Sequence, residues 1–586
     1  MKHLGKLTFG LLAMLMASCS SEEPLTPDSG DQSNPSGKDV YASLSLRLPG
    51  ATRSLTRAEG DEDANYNEEF GQNYENSVGK VFVVLATKND AGQYLYLTSA
   101  ESDAKPNYTD VPANTVKYVL NFSSDDMTPD PLDKNKPGSD IPSTPTKQDD
   151  VYVFVYCNPS TTLLKRFEEV TTGVPFTDIV GTIEHKDNAL MWQANNFLMT
   201  NNRIVKAANP IPSREELINK HGTPETAFPL GTVEVKRAAA RFDFMSTTTS
   251  AGLNKYSIKD LDGTTEVGVV ELTEMAMFNI AKNFHYLPRT SSTWDWDDKN
   301  ITLCSGAEES EYVVSYNINK FKQSTPLNNY AGYYFSNLIG NSLSSSSSSQ
   351  GTNSLNWTKL SDFSGMPADN PAWEPDQDSK TDYRIWRYAT ENTIPAASSG
   401  QSTSSQKVGI TTGVVFKGIF TPTTEASKGR WNGNAVYVHN NVVFGDFATL
   451  KAYVQKYPNS VVAADFEAVD AFHAENVDLK KSLLKGVSGD EAHGFKCYEP
   501  DVNGQYAMYY FYYNRHKSNG KPSVMGHDEF GVVRNNVYKL KVTKCGTFGE
   551  PSAPNRPDDP DEEENAYFTV SCIVLPWSVK VNNIEF

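Results

Sequence analysis

Apolar residues recur at every second position along much of this chain, most strictly near its two ends. Val40, Ala42, Leu44, Leu46 and Leu48 alternate with more polar neighbours, and Pro49-Gly50 closes the run. Phe568, Val570, Cys572 and Val574 repeat the pattern. After Pro576 the phase shifts, and Leu575, Trp577, Val579 and Val581 form a second alternating set. A period of two sends successive side chains to opposite faces, so each run reads as a strand with one buried face. The phase shift suggests two consecutive strands at the C-terminal end. An acidic, proline-bearing linker at 554–565 precedes them. A strongly apolar strand on such a tether either closes a sheet of its own chain or fills one in another chain.

Between the ends the same alternation dominates, broken by Gly, Pro, Asn, Asp and Ser clusters, and long helical periodicity is rare. Strands are expected at 78–86 and 94–97, joined as a hairpin around Asn89 to Gly92, and at 116–122. The run at 151–156 is apolar on both faces and predicts a central strand. Further strands are expected at 197–200, 233–244, 267–280, 411–420, 506–513 and 537–542. Helices are expected at 161–170, within 210–222, at 446–457 with Asp446 as N-cap, and roughly at 463–485. The Pro/Asp/Ser stretch at 123–149 and the serine run at 342–351 read as loops. A chain of 586 residues exceeds one core. The expected fold is mainly β, with two domains divided at 231/232, a few short helices and C-terminal strands after a linker from 551.

Residues 1–19 form a separate unit. Lys2 and Lys6 give a positive start, an apolar run too short to span a bilayer permanently follows, and Ala17-Ser18 precede Cys19. This resembles a bacterial lipoprotein signal, in which the cysteine becomes the acylated new N-terminus. An ordinary signal peptide with a chance cysteine is the plainer reading. The polar tether at 20–37 favours the lipoprotein. Residues 20–57 then hold the tether, the strand at 39–48 and a polar segment after it. Arg53 and Arg57 stand in a polar segment with no apolar face, where proteases cut most easily.

A net charge of −19 gives no basic footprint for nucleic acid. The six cysteines form no CxxC pair, and the five beyond Cys19 are expected as free thiols rather than a disulfide framework or a metal site. No phosphate-binding glycine loop, HExxH or GxSxG is present, and His493, Cys497 and His516 make no convincing catalytic set. Trp294-Asp295-Trp296-Asp297-Asp298 could hold calcium or stack on a sugar, but lacks EF-hand spacing and reads better as a solvated loop. No enzyme, cofactor or metal is called for.

Several segments together resemble one family. They are ASC ending at Cys19, TRAEGDED around Arg57, VEVKRAAARFDF (233–244), ELTEMAMFNIAKNFHYLPR (271–289), ATENT (389–393), GVVFKGIFTP (413–422), VVRNNVYKLKV (532–542) and VLPWSVKV (574–581). In this order they resemble the Bacteroidales fimbrillins, or type V pilins, most of all the structural subunits of the short (minor) fimbriae. The resemblance implies transthyretin-like sandwich domains and export as a lipoprotein to the outer membrane. An Arg-specific, trypsin-like protease would then cut between Arg57 and Ala58. Val40, Ala42, Leu44, Leu46 and Leu48 would be lost with the propeptide, and the C-terminal strand of a neighbouring copy, from Phe568 onward, would fill the vacated groove. Other copies and related anchor or tip subunits are then the partners, and the product is an adhesive surface fibre. The competing expectation is a surface lipoprotein that does not polymerise and binds glycans.

Overall fold

The structure is a computed structural model. It describes residues 38–48, 69–71, 73–102, 115–127, 150–182, 196–260, 263–291, 301–304, 312–316, 335–336, 355–361, 383–393, 411–439, 442–466, 495–517, 529–551 and 568–578. The fold is mainly β, as the alternation predicts, with short helices between strands.

The first sheet is eight-stranded. Its order is Tyr94–Ser102, Val81–Lys88, Tyr152–Cys157, Met199–Asn201, Phe228–Arg237, Asp39–Arg47 and Thr115–Ser123, with Val205–Lys206 pairing to the side of Tyr152–Cys157. The hairpin expected around Asn89 is present, and Gly92 takes the left-handed conformation that its turn requires. The expected central strand has Val153 to Cys157 all buried. Helix Thr161–Glu168 is capped by Ser160 and seats Leu163 and Phe167 on the core beside Phe82 and Tyr156.

The second half of the chain is a sandwich around one core. One sheet runs Glu69–Phe70, Phe568–Ser578, Asn536–Cys545, Ala239–Met245 and Arg384–Thr390. The other runs Lys255–Lys259, Glu266–Phe278, Gly413–Pro422 and Tyr506–Tyr513. Phe242, Tyr538 and Leu540 from the first face Met275, Phe416 and Tyr510 from the second. The rings of Phe242 and Tyr538 stack at 4.8 Å. A small sheet of Val436–His439, Val442–Phe444 and Phe495–Tyr498 packs with the helix Phe447–Lys456. Asp446 caps that helix, accepting from the Thr449 amide at 2.6 Å.

Two expectations shift. The chain passes from the first sheet to the second at Ala238, because Phe228–Arg237 pairs in the first and Ala239–Met245 in the second. The division expected at 231/232 thus falls inside a strand. The C-terminal stretch is one strand, Phe568–Ser578, running through Pro576 instead of breaking there. Several expectations lie outside the described residues: Cys19, Arg53, Arg57, Ala58, His493, Trp294 to Asp298, the serine run, the acidic linker, Val579, Val581 and most of the 463–485 helix.

Candidate assembly site

The strand Asp39–Arg47 lies inside the first sheet. It pairs antiparallel with Thr115–Ser123 over nine consecutive positions, from Asp39 opposite Ser123 to Arg47 opposite Thr115. On its other side it runs parallel to Phe228–Arg237, from Ala42 beside Phe228 to Arg47 beside Glu234. That second wall is irregular. The register shifts between Ser43 and Leu44 as the wall steps from Pro229 to Gly231, and Pro229 has no amide to donate. Gly231 has φ +110°, and a Cβ there would stand 3.3 Å from the Ala208 Cβ, so the bulge is a glycine position.

The apolar set is wholly enclosed: Val40, Ala42, Leu44, Leu46 and Leu48 are at most 1 % exposed. Tyr118, Leu120 and Phe122 on one wall and Leu230, Val233 and Val235 on the other belong to the same core. Beyond the ladders, the Tyr41 amide donates to the His221 carbonyl at 2.8 Å and the Ser124 amide to the Lys38 carbonyl at 2.9 Å. Val40, Leu44, Leu46 and Leu48 each gain about 1.5–3 kcal/mol from burial. Removing the strand would uncover that surface and strand main-chain groups on two walls at once.

The C-terminal strand sits differently. Phe568–Ser578 pairs antiparallel with Asn536–Cys545, from Phe568 opposite Cys545 to Pro576 opposite Asn536. On its outer side the pairing is the parallel contact of Trp577 and Ser578 with Glu69 and Phe70. Phe568, Val570 and Cys572 are half-buried against the sandwich core. The Phe568 ring lies 4.9 Å from Tyr510 and 5.6 Å from Phe416, and Cys572 Sγ is 3.8 Å from the Arg515 carbonyl. Val574, Leu575 and Trp577 are placed by their backbone in the same strand. The two end strands are therefore members of different sheets, and each is engaged within its own chain.

Sequence reading missed the polar junction between the two sheets. Arg241 makes a bidentate pair with Asp243, at 2.9 and 2.8 Å, and reaches Glu75 at 3.1 Å. Glu75 also accepts from the Tyr388 hydroxyl, which lies 3.0 Å from that of Tyr74. Arg237 donates to the Glu75 carbonyl at 3.2 Å, to Asn535 Oδ1 at 3.3 Å and to Asn76. Nearby, Arg534 grips Glu391 with bonds of 2.9 and 3.1 Å and donates to the carbonyls of His285 and Tyr286. All six charged side chains are buried. Burial drives the Arg237 guanidinium down to about 9 and, with the charge of Glu75 second, pushes the Tyr74 hydroxyl up to about 12. Arg241 takes the carboxylates of Glu75 and Asp243 and Arg534 that of Glu391, while Arg237 donates to carbonyl and amide oxygens, and without these partners the buried charges would be costly. The visible signal was arginine and aspartate among alanines in VEVKRAAARFDF, together with the charges of ATENT and VVRNN. Among the described residues no group of acidic, histidine or cysteine side chains is arranged to hold a metal ion.

Residues 503–583 match the family described as "Major fimbrial subunit protein type IV, Fimbrillin, C-terminal". The matched segment contains Tyr506–Tyr513, Asn536–Cys545 and the terminal strand. The family match is confined to this C-terminal region, where the chain is similar to the fimbrillins. No curated protein sequence matches it. Among solved structures it is similar to a putative cell adhesion protein from Parabacteroides distasonis, at 12 % identity and TM-score 0.40, covering 92 % of this chain and 100 % of that one. A fimbrilin from Porphyromonas gingivalis follows at 13 % identity and TM-score 0.34, with 92 % and 98 % covered. The C-terminally truncated tip fimbrial protein Mfa3 of the same organism stands at 9 % and 0.30, with 92 % and 100 % covered.

Proposed function

We propose that this protein is a fimbrial subunit of the fimbrillin kind, made as a lipoprotein precursor, acylated at Cys19 and held at the outer membrane. An Arg-directed protease cuts between Arg57 and Ala58. The segment carrying Val40 to Leu48 then leaves the first sheet, and the C-terminal segment of another copy takes its place. Repetition builds a fibre, because each copy gives one strand and receives one through unlike surfaces that do not close on themselves. The subunit is a stalk member of the short-fimbria type, since it carries both a removable strand and a terminal donor. Related tip and anchor subunits cap the two ends of an adhesive fibre.

The observation that carries this reading is the placement of Asp39–Arg47. A strand paired on both sides, with every apolar side chain enclosed, is followed within a few residues by two arginines. While it stays, no second strand can enter; once it goes, main-chain groups and apolar pockets are exposed together. The test is Arg57→Ala in cells, read by SDS-resistant polymer ladders and by the size of the subunit. The expected result is unprocessed monomer without ladders. Normal ladders from Arg57→Ala and from the Arg53→Ala/Arg57→Ala double variant would overturn the processing step. Monomers that bind polysaccharide, with no ladder in the wild type, would favour the glycan-binding lipoprotein.

A further inference from the structure

Alternation leaves one ambiguity in the slot that Asp39–Arg47 fills. A slip of one residue turns the apolar side chains to the wrong face, but a slip of two keeps them inside. Period two alone therefore cannot fix the register of this strand, or of any strand that takes its place.

The walls supply what the pattern lacks, because the occupant is small where they are bulky and large where they are not. Ala42 lies opposite Leu120 and beside Phe228. Leu44 lies opposite Tyr118 and beside Gly231, and Leu46 opposite Val116 and beside Val233. Opposed residues on one face of a sheet start about 4.5–5.5 Å apart at their Cβ atoms, so leucine on one side and phenylalanine on the other leave room for little more than a methyl group. Two residues further on, Gly231 contributes no side chain, and there the occupant carries leucine. The register shift that brings Gly231 to this level makes Leu230 the extra residue of the wall, buried in the same core.

The narrow level is also backed from behind. Ala42, Leu120 and Phe228 are all buried. The Phe228 ring meets the His221 ring edge-on at 5.5 Å. The His221 carbonyl accepts from the Tyr41 amide at 2.8 Å, and its own amide donates at 2.8 Å to Leu217 in the helix Arg214–Lys220. A leucine in place of Ala42 would have to push Leu120 or Phe228 out of a closed core.

We infer that the slot reads its occupant by size, with the Ala42 level as the register key. A two-residue slip of the present strand would bring Val40 or Leu44 to the narrow level and is thereby excluded. The wider consequence rests on the strand-exchange reading above: the segment of another copy that enters the slot must bring an alanine-sized residue to this level and a large one two residues further on.

Two experiments test the key and the consequence separately. In the full-length precursor, Ala42→Leu is expected to lower the Tm of the transition that melts the first sheet by about 5 °C or more. Adding Leu120→Ala, which opens the opposite wall, should recover part of that loss. Losses that simply add would overturn the size reading. In cells assembling fibres, a synthetic peptide of residues 38–48 is added outside and SDS-resistant ladders are followed. The native peptide is expected to shorten the ladders, and the Ala42→Leu peptide to need at least about tenfold more for the same effect. Equal potency of the two would overturn the inference and leave strand exchange standing. A native peptide without effect, beside recovery in the double variant, would overturn exchange through this slot and with it the requirement on other copies.

Discussion

The strands at the two ends of the described chain carry the same alternating pattern and lead opposite lives. Asp39–Arg47 is interior to its sheet, paired along both edges, with its apolar side chains enclosed. Phe568–Ser578 has one long partner and a two-residue contact on its outer side, and Phe568, Val570 and Cys572 are only half-buried. Pattern alone tells which face of a strand is apolar. The number of neighbours decides how firmly the strand is held. The first strand is held along both edges. The second is paired along most of its length on one side and over two residues on the other.

Substitutions at matched places should expose that contrast. The largest effect is expected from Leu46→Asp, which places an unpaired carboxylate in a closed core at a cost of roughly 5 kcal/mol or more. Cys572→Asp, half-exposed on the other strand, should cost a small fraction of this. Urea unfolding of the two precursors measures the difference, and equal losses would erase the distinction between the strands. Once the propeptide has been removed, Leu46→Asp should have no effect at all.

Next in size is Arg241→Ala. It leaves Glu75 and Asp243 buried without their guanidinium and should cost about 3–5 kcal/mol. Because Glu75, Arg241 and Asp243 all follow Arg57, the proposed cut there should leave the loss unchanged. A loss confined to one form would tie the junction to the fate of the first strand.

The smallest effect concerns His516, buried and 3.0 Å from the Tyr538 hydroxyl beside the C-terminal strand's partner. Burial, with Lys517 second, lowers its imidazole from 6.5 to about 3. The folded state thus resists the proton that the unfolded state accepts. Its stabilising contribution is complete above about pH 6.5 and declines as pH falls towards 3, by about 1.4 kcal/mol per pH unit. Acid should therefore loosen the sandwich that roots the C-terminal strand. His516→Gln should flatten the slope of Tm against pH between 6 and 4, and an unchanged slope would remove His516 as its source.

Much of the fold was legible because it depends on local pattern. The enclosed set from Val40 to Leu48, the Asn89 turn and the Asp446 cap all lie within a few residues of the signals that announce them. The junction was not legible, because its pairs are remote: Arg241 and Glu75 are 166 residues apart, and Arg534 and Glu391 are 143 apart. The crossing at Ala238 was hidden for a related reason. A continuous strand-like run gives no sign that its two halves pair in different sheets, and here the passage is marked by Asn535, a left-handed residue whose amide donates to the Ala239 carbonyl at 2.7 Å. For the C-terminal segment, alternation identified the strand and its apolar faces. It could not tell that Phe568 lies on Tyr510 and Phe416, since that depends on which sheet the strand joins.

The two walls beside Asp39–Arg47 run in opposite directions, one antiparallel to the occupant and one parallel. Turning the occupant end for end would exchange those relations and preserve the count: one antiparallel neighbour and one parallel neighbour. To the main chain the slot is close to a socket that accepts a plug either way up. Polarity must then be read from its irregular features, namely the step from Pro229 to Gly231 and the small Ala42 site between Leu120 and Phe228. A fibre assembled through such a slot would take its head-to-tail sense from a handful of side chains and one bulge.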